Sequence, residues 1–243
     1  MPGNLTIVSR PVVRNNKCRP QGHGFRRNTT LATPLKIKDG APSRPRKSSE
    51  KREAKRRALA ESAIETLCAK GYANTSLRDI AEASGHPLAT LHYYFGSKFD
   101  LIEYCIRQHK SEFFEQMRGA ALTPGALPDV IEAFGRGLAL AVAHDAPRHR
   151  LWFDIRNQSV FDNALRPIIE DIEKENLAIA SVIEQRFFKD TDDDAKQRVI
   201  IVYSAIDGLF SQITQNPDKT PPLAETEAMF RVLLERLLVA GTG

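Results

Sequence analysis

GYANTSLRDIAEASGHPLATLHYYFGSK, residues 71–98, reads as two short helices around a glycine turn, closed by a polar, aromatic-rich end. Ser76 and Asp79 have capping-box spacing, which predicts a helix start with Leu77, Ile80 and Ala81 turned inward. Gly85 supplies the turn, and Pro87 suits a first helical position. A second helix is predicted from Pro87 to about Phe95. Leu91 and Phe95, four residues apart, face the core and leave Leu88, Ala89, Thr90, His92, Tyr93 and Tyr94 on the other side. This is the layout of a helix-turn-helix, in which a short helix standing clear of its domain enters the major groove of DNA.

Working outward, a first helix is expected to begin after Ser48 or Ser49, bury Ala60, Ala63, Ile64 and Leu67, and end at Gly71. Lys51, Arg52, Lys55, Arg56 and Arg57 crowd its start. Beyond the motif, Ser97 and Asp100 repeat the capping spacing before a long helix with Leu101, Ile102, Cys105, Ile106, Phe113 and Met117 at helical intervals. Pro124 to Pro128 marks a boundary. Further helices are expected at about 129–144, 148–157, 163–189, 192–215 and 223–239, with no alternating segment of strand length and no internal repeat. The fold class is all-α. The expected division is a disordered basic tail (1–47), a helix-turn-helix domain (48–97) and a larger helical domain (98–243).

Composition agrees with a polyanion-facing front end. The net charge of +5 is unevenly spread: residues 1–50 hold 11 basic and 2 acidic residues, 51–100 hold 8 and 6, and the remainder 16 and 22. The tail is rich in Pro, Gly, Arg and Asn and poor in large apolar residues, so burial cannot offset its ordering entropy. Its first 38 residues carry no acid, a composition shared with organelle transit peptides, and the recognisable domain needs none of them. The three cysteines, Cys18, Cys68 and Cys105, are far apart and form no C-x-x-C. With no bilayer-length apolar run, a reducing, cytoplasmic compartment and no membrane partner are expected.

Enzyme signatures are missing. Gly22-His-Gly24 lacks a third glycine and a preceding strand, Gly135-Arg-Gly137 falls inside a helix, and neither G-x-S-x-G nor H-E-x-x-H occurs. We expect no catalytic activity, no cofactor and no metal site. Two function classes remain: a sequence-specific DNA reader, or an all-helical interaction protein that binds nucleic acid only non-specifically.

Thr75-Ser-Leu-Arg-Asp-Ile-Ala81, Gly85, Thr90-Leu-His-Tyr-Tyr-Phe95 and Ser97-Lys98 together resemble the N-terminal domain of the TetR family of transcriptional regulators. The resemblance covers roughly residues 50–105. It implies a three-helix DNA reader joined to a helical domain that dimerises and binds a small-molecule effector, with a near-palindromic DNA operator and, by family habit, repression. It assigns Leu88 and Ala89 to base edges, Thr90, His92, Tyr93 and Tyr94 to phosphates or bases, Lys98 to a phosphate, and Thr75 and Ser76 to a backbone clamp. His86, Pro87 and Leu88 depart from the family's usual residues, costing the second helix of the motif a side-chain cap and a polar reader.

Leu151-Trp-Phe-Asp154 and Ile206-Asp-Gly-Leu209 resemble a subgroup that includes choline-sensing repressors. Phe134, Trp152, Phe153, Tyr203 and Phe210, with Arg156, are the candidate effector pocket, where aromatic walls suit a cationic ligand. The same aromatics at helical spacing also read as core packing. His144 and His149 are further polar candidates, with exposure the plainer reading. The homodimer interface is expected on the last two helices, pairing Val199, Val202, Ile206 and Phe210 with Met229, Leu233 and Leu237. The alternative is that these residues close the domain core.

Overall fold

The structure, a computed structural model, describes residues 46–188 and 193–239. Among these there are eight α-helices, one 3-10 turn and no strand: α1 Arg46–Lys70, α2 Leu77–Ser84, α3 Leu88–Tyr94, α4 Lys98–Ala121, α5 Leu127–Gln158, α6 Arg166–Phe187, α7 Asp193–Gln215, the turn Pro217–Lys219 and α8 Leu223–Leu238. The all-α class is as the periodicity requires. Helix α1 starts a little earlier than its serines suggested, taking in Arg46 and Lys47 from the expected tail; the rest of that tail lies outside the described residues.

Local chemistry sets the boundaries around the motif. Ser76 Oγ accepts from the Asp79 N–H and Asp79 Oδ2 accepts from the Ser76 N–H, a complete capping box for α2. Gly85 takes φ +64°, the left-handed conformation that ends the helix without a Cβ penalty. Pro87 stands one place earlier than expected, at the N-cap of α3, which has no side-chain cap. Ser97 Oγ accepts from the Asp100 N–H at 3.1 Å and opens α4.

The two helices expected at 129–144 and 148–157 are both present, and α5 is that pair joined across a kink: Asp145 leaves helical geometry (φ −129°, ψ +18°) two residues before Pro147, after which the helix resumes. Proline removes one backbone donor and crowds the preceding turn, and the residues Val142 before the kink and Leu151 after it are buried.

A continuous hydrophobic core runs from Leu59 in α1 to Leu238 in α8. Helix α5 is its spine, packing on α1, α4, α7 and α8. Of the residues expected to meet a second copy, Val202, Ile206 and Phe210 are buried in this core, at 6%, 9% and 5% exposure, so they close the domain instead. The large apolar side chains that α7 and α8 leave bare are Ile200, Ile201, Leu223, Met229 and Val232.

Phe230 has no exposed surface and its ring lies 5.9 Å from that of Phe210. Phe230→Ala should lower unfolding free energy by about 3–5 kcal/mol, read from a urea midpoint, and Phe230→Leu by clearly less. Equal, small losses for both would mean that α8 does not close the core.

Candidate nucleic-acid interface and internal pocket

Helix α3 buries one side and bares the other. Leu91 and Phe95 are at 0% and 1% exposure, whereas Leu88, Ala89, His92 and Tyr93 are exposed, Tyr93 at 69%; Thr90 and Tyr94 are half-buried. The Tyr93 and Tyr94 rings meet edge to face at 5.0 Å. The basic start of α1 comes to the same end of α3: the Arg52 guanidinium lies 5.8 Å from the Tyr93 ring centre, and that of Arg56 5.1 Å from Phe95 and 4.4 Å from Tyr104. This juxtaposition was not legible from the motif alone.

Three of the assigned residues are committed elsewhere in this structure. Thr75 is buried; its hydroxyl donates to the Gly71 carbonyl at 2.7 Å and its N–H to the Tyr72 carbonyl at 3.4 Å. The Ser76 hydroxyl is engaged by Asp79, whose carboxyl is held well below the usual carboxylate range by the Ser76 hydroxyl and N–H and by Lys70. Lys98 is turned inward: Nζ donates to the Tyr72 carbonyl at 2.5 Å and lies 4.1 Å from that ring's centre. Burial lowers its pKa, opposed by Asp154, Asp162 and Asp79. A phosphate must compete for this ammonium.

The Gly71–Tyr72 turn also docks the motif on the rest of the molecule. Gly71 takes φ +80°, and the Tyr72 N–H donates to Asp154 Oδ2 on α5 at 2.7 Å. The Tyr72 hydroxyl reaches Asp162 at 3.3 Å, and Arg148 on α5 pairs with Glu61 on α1 at 2.8 Å.

Behind this junction lies a cavity of about 60 Å³ between α4, α5, α6 and α7. Phe134, Trp152, Phe153, Tyr203 and Phe210 all line it. Arg156 does not; it sits behind the wall, with Nη1 3.0 and 2.9 Å from the two Asp207 oxygens and 3.4 Å from Glu173. The Tyr203 hydroxyl donates to Glu173. Among the polar candidates, His144 is exposed, while His149 is 2% exposed and lines the cavity.

Lys110, Asn176 and Asp207 are pocket residues that sequence reasoning missed. Lys110 is 4% exposed, and its ammonium lies 4.5 Å from the Trp152 ring centre and 5.2 Å from that of Phe113. Of the aromatic faces expected to receive a cationic ligand, that of Trp152 therefore already holds the protein's own cation. Burial pushes the Lys110 pKa down to about 7, against the pull of Asp207 and Glu173. His109 and His149 meet edge to face at 4.7 Å between α4 and α5; burial pushes His109 down to about 3 and His149 well below its usual value.

Residues 59–105 match the family model for bacterial regulatory proteins of the tetR family. The match spans α1 to the start of α4, so the tetR resemblance falls on the helices that build the α3 face. No curated protein sequence matches the chain significantly. Solved structures extend the tetR-type likeness to the rest of the fold. A candidate transcriptional regulator from Pseudomonas aeruginosa PAO1 superposes with a TM-score of 0.65 at 20% identity, covering 76% of this chain and 90% of its own. FadR from Bacillus subtilis, in complex with stearoyl-CoA, gives 0.63 at 19% identity over 74% and 96%. A TetR transcription regulator from Haloarcula marismortui gives 0.64 at 17% over 77% and 98%. At these identities the likeness is one of fold.

Two predictions follow from the buried groups. An unfolded histidine takes up a proton near pH 6.5 and the folded pair does not, so stability is full above about 6.5 and is lost as pH falls toward 3. The urea midpoint should drop between pH 7.5 and 5, each imidazole adding up to about 1.4 kcal/mol per pH unit below 6.5. A flat midpoint would mean both are charged in the fold. Separately, Asp154→Ala leaves the Tyr72 N–H without its acceptor and should cost about 1.5–3 kcal/mol of unfolding free energy, partly recovered in Asp154→Asn.

Proposed function

We propose that this chain is a sequence-specific DNA-binding transcriptional regulator, acting as a homodimeric repressor that a small-molecule effector releases from a near-palindromic operator. The observation that carries the reading is α3: a short helix anchored by Leu91 and Phe95, with His92 and Tyr93 bare beside Arg52, inside the segment that matches the tetR family. Leu88 and Ala89 at its start are the base-edge candidates. Thr90, His92, Tyr93 and Tyr94 offer hydroxyls and an imidazole to phosphates or bases. Lys98, Thr75 and Ser76 are the proposed flanking clamps, each after leaving its partner in the fold: the Tyr72 carbonyl for the Lys98 ammonium and the Thr75 N–H, and Asp79 for Ser76.

Dimerisation through α7 and α8 is supported by the bare Ile200, Ile201, Met229 and Val232. A two-fold pair of recognition helices about one DNA turn apart then demands operator symmetry. The effector site is the cavity between α4 and α7. Two helices connect it to the reader: α4 carries Lys110 in the cavity and Ser97–Lys98 at the reader, and α5 carries Trp152 and Phe153 in the cavity beside Asp154 at the Tyr72 junction. An effector acts only by binding one arrangement better; about 3 kcal/mol of coupling weakens DNA binding over a hundredfold.

The test is titration of the protein against DNA upstream of its own gene with excess random duplex, followed by footprinting. A protected near-palindrome supports the reading. Binding that competitor abolishes there and in a genomic-fragment selection fits the non-specific interaction protein instead. Tyr93→Ala should weaken operator binding at least about tenfold, the worth of one lost contact of roughly 1.4 kcal/mol, with an unchanged melting temperature. Unchanged affinity would remove α3 from the groove.

A further inference from the structure

Lys110 is nine-tenths buried, yet its ammonium makes no hydrogen bond or ion pair among the described residues. It is held only over the Trp152 and Phe113 rings, both of them cavity walls, so its charge lies against the cavity; the residue also borders the open groove between α4 and α6. The charged groups around it are accounted for. Asp207 gives both oxygens to Arg156, and Glu173 takes the Tyr203 hydroxyl and a longer Arg156 contact. His149 and His109 are kept neutral by burial. The two carboxylates thus attract Lys110 through space without touching it.

A buried cation without a direct partner is costly, and the cost falls when an anion arrives with its own oxygens. We infer that the cavity takes an organic carboxylate, its head group on Lys110 Nζ and its apolar body along Trp152, Phe153, Phe134 and Ile179. The Asn176 side chain, also lining the cavity, donates to the Tyr203 hydroxyl at 3.2 Å and marks the polar end of the wall. A neutral amide or alcohol of the same length brings no charge to the ammonium, and a quaternary ammonium is repelled by it. This inference rests on the reading of the cavity as the effector site.

Trp152 is the only tryptophan of the chain and lies directly under Lys110, so intrinsic fluorescence reports occupancy without DNA. The full-length protein is titrated with butyrate, octanoate, dodecanoate and 3-phenylpropionate, and with octanamide and octyltrimethylammonium for comparison. Saturable quenching by at least one carboxylate, with octanamide at least tenfold weaker than octanoate, is expected. Lys110→Met should erase that preference and Lys110→Arg retain it. Octanamide binding as well as octanoate, the quaternary ammonium binding better, or no saturation by any carboxylate to millimolar concentration overturns the inference. If Lys110→Met does not fold, the comparison of carboxylate with amide on the parent protein still decides. Carboxylate binding that leaves a footprinted operator complex intact counts against the effector-release reading alone; effector-free operator binding with no carboxylate response counts against this inference alone.

Discussion

The bond from the Tyr72 N–H to Asp154 ties the reader to the body, and the geometry around it follows from that tie. Gly71 must adopt a left-handed backbone to end α1 and aim the next N–H at α5; a Cβ there would stand 3.2 Å from Asp154 Oδ2. The carbonyl of the same Tyr72 holds Lys98, and its hydroxyl reaches Asp162. One residue therefore gathers the end of α1, the start of α4, the last turns of α5 and the loop that follows it. A charge-assisted bond at 2.7 Å is strong enough to fix this arrangement and few enough in number to be rearranged as a unit.

Much of the fold was legible because helix caps are local. Ser76, Gly85 and Ser97 each set a boundary through atoms within three or four residues, and α2, α3 and α4 begin and end within about a residue of where those signals put them. Pro147 was legible for the same reason: its cost falls on the preceding turn, and the chain leaves helical geometry at Asp145, two residues before it.

The direction of α7 was not decidable from its residues. Val199, Ile200, Ile201 and Val202 are all apolar, so the period does not say which side faces in, and only packing against α5 and α6 turns Val202, Ile206 and Phe210 to the core. The pocket aromatics could be named from the sequence; Lys110 could not. A lysine on an amphipathic helix is solvated by default, and its burial depends on α5 and α7 arriving from more than forty residues away. His149 was misjudged on the same ground.

Helix α4 converts these placements into leverage. Lys110 and Lys98 are twelve residues apart on one uninterrupted helix, so about 18 Å of rigid rod separates the cavity from the reader. A tilt of about 5° pivoting at Lys110 moves the Lys98 end by about 1.5 Å, which is more than the tolerance of a hydrogen bond to a phosphate or base edge. The Lys98 ammonium, now on the Tyr72 carbonyl, cannot follow such a tilt and keep both that bond and the ring contact. Under the proposed function, an occupant that draws Lys110 toward the cavity and a duplex that draws Lys98 outward would pull on the same helix, and their competition would need no path of side chains between them.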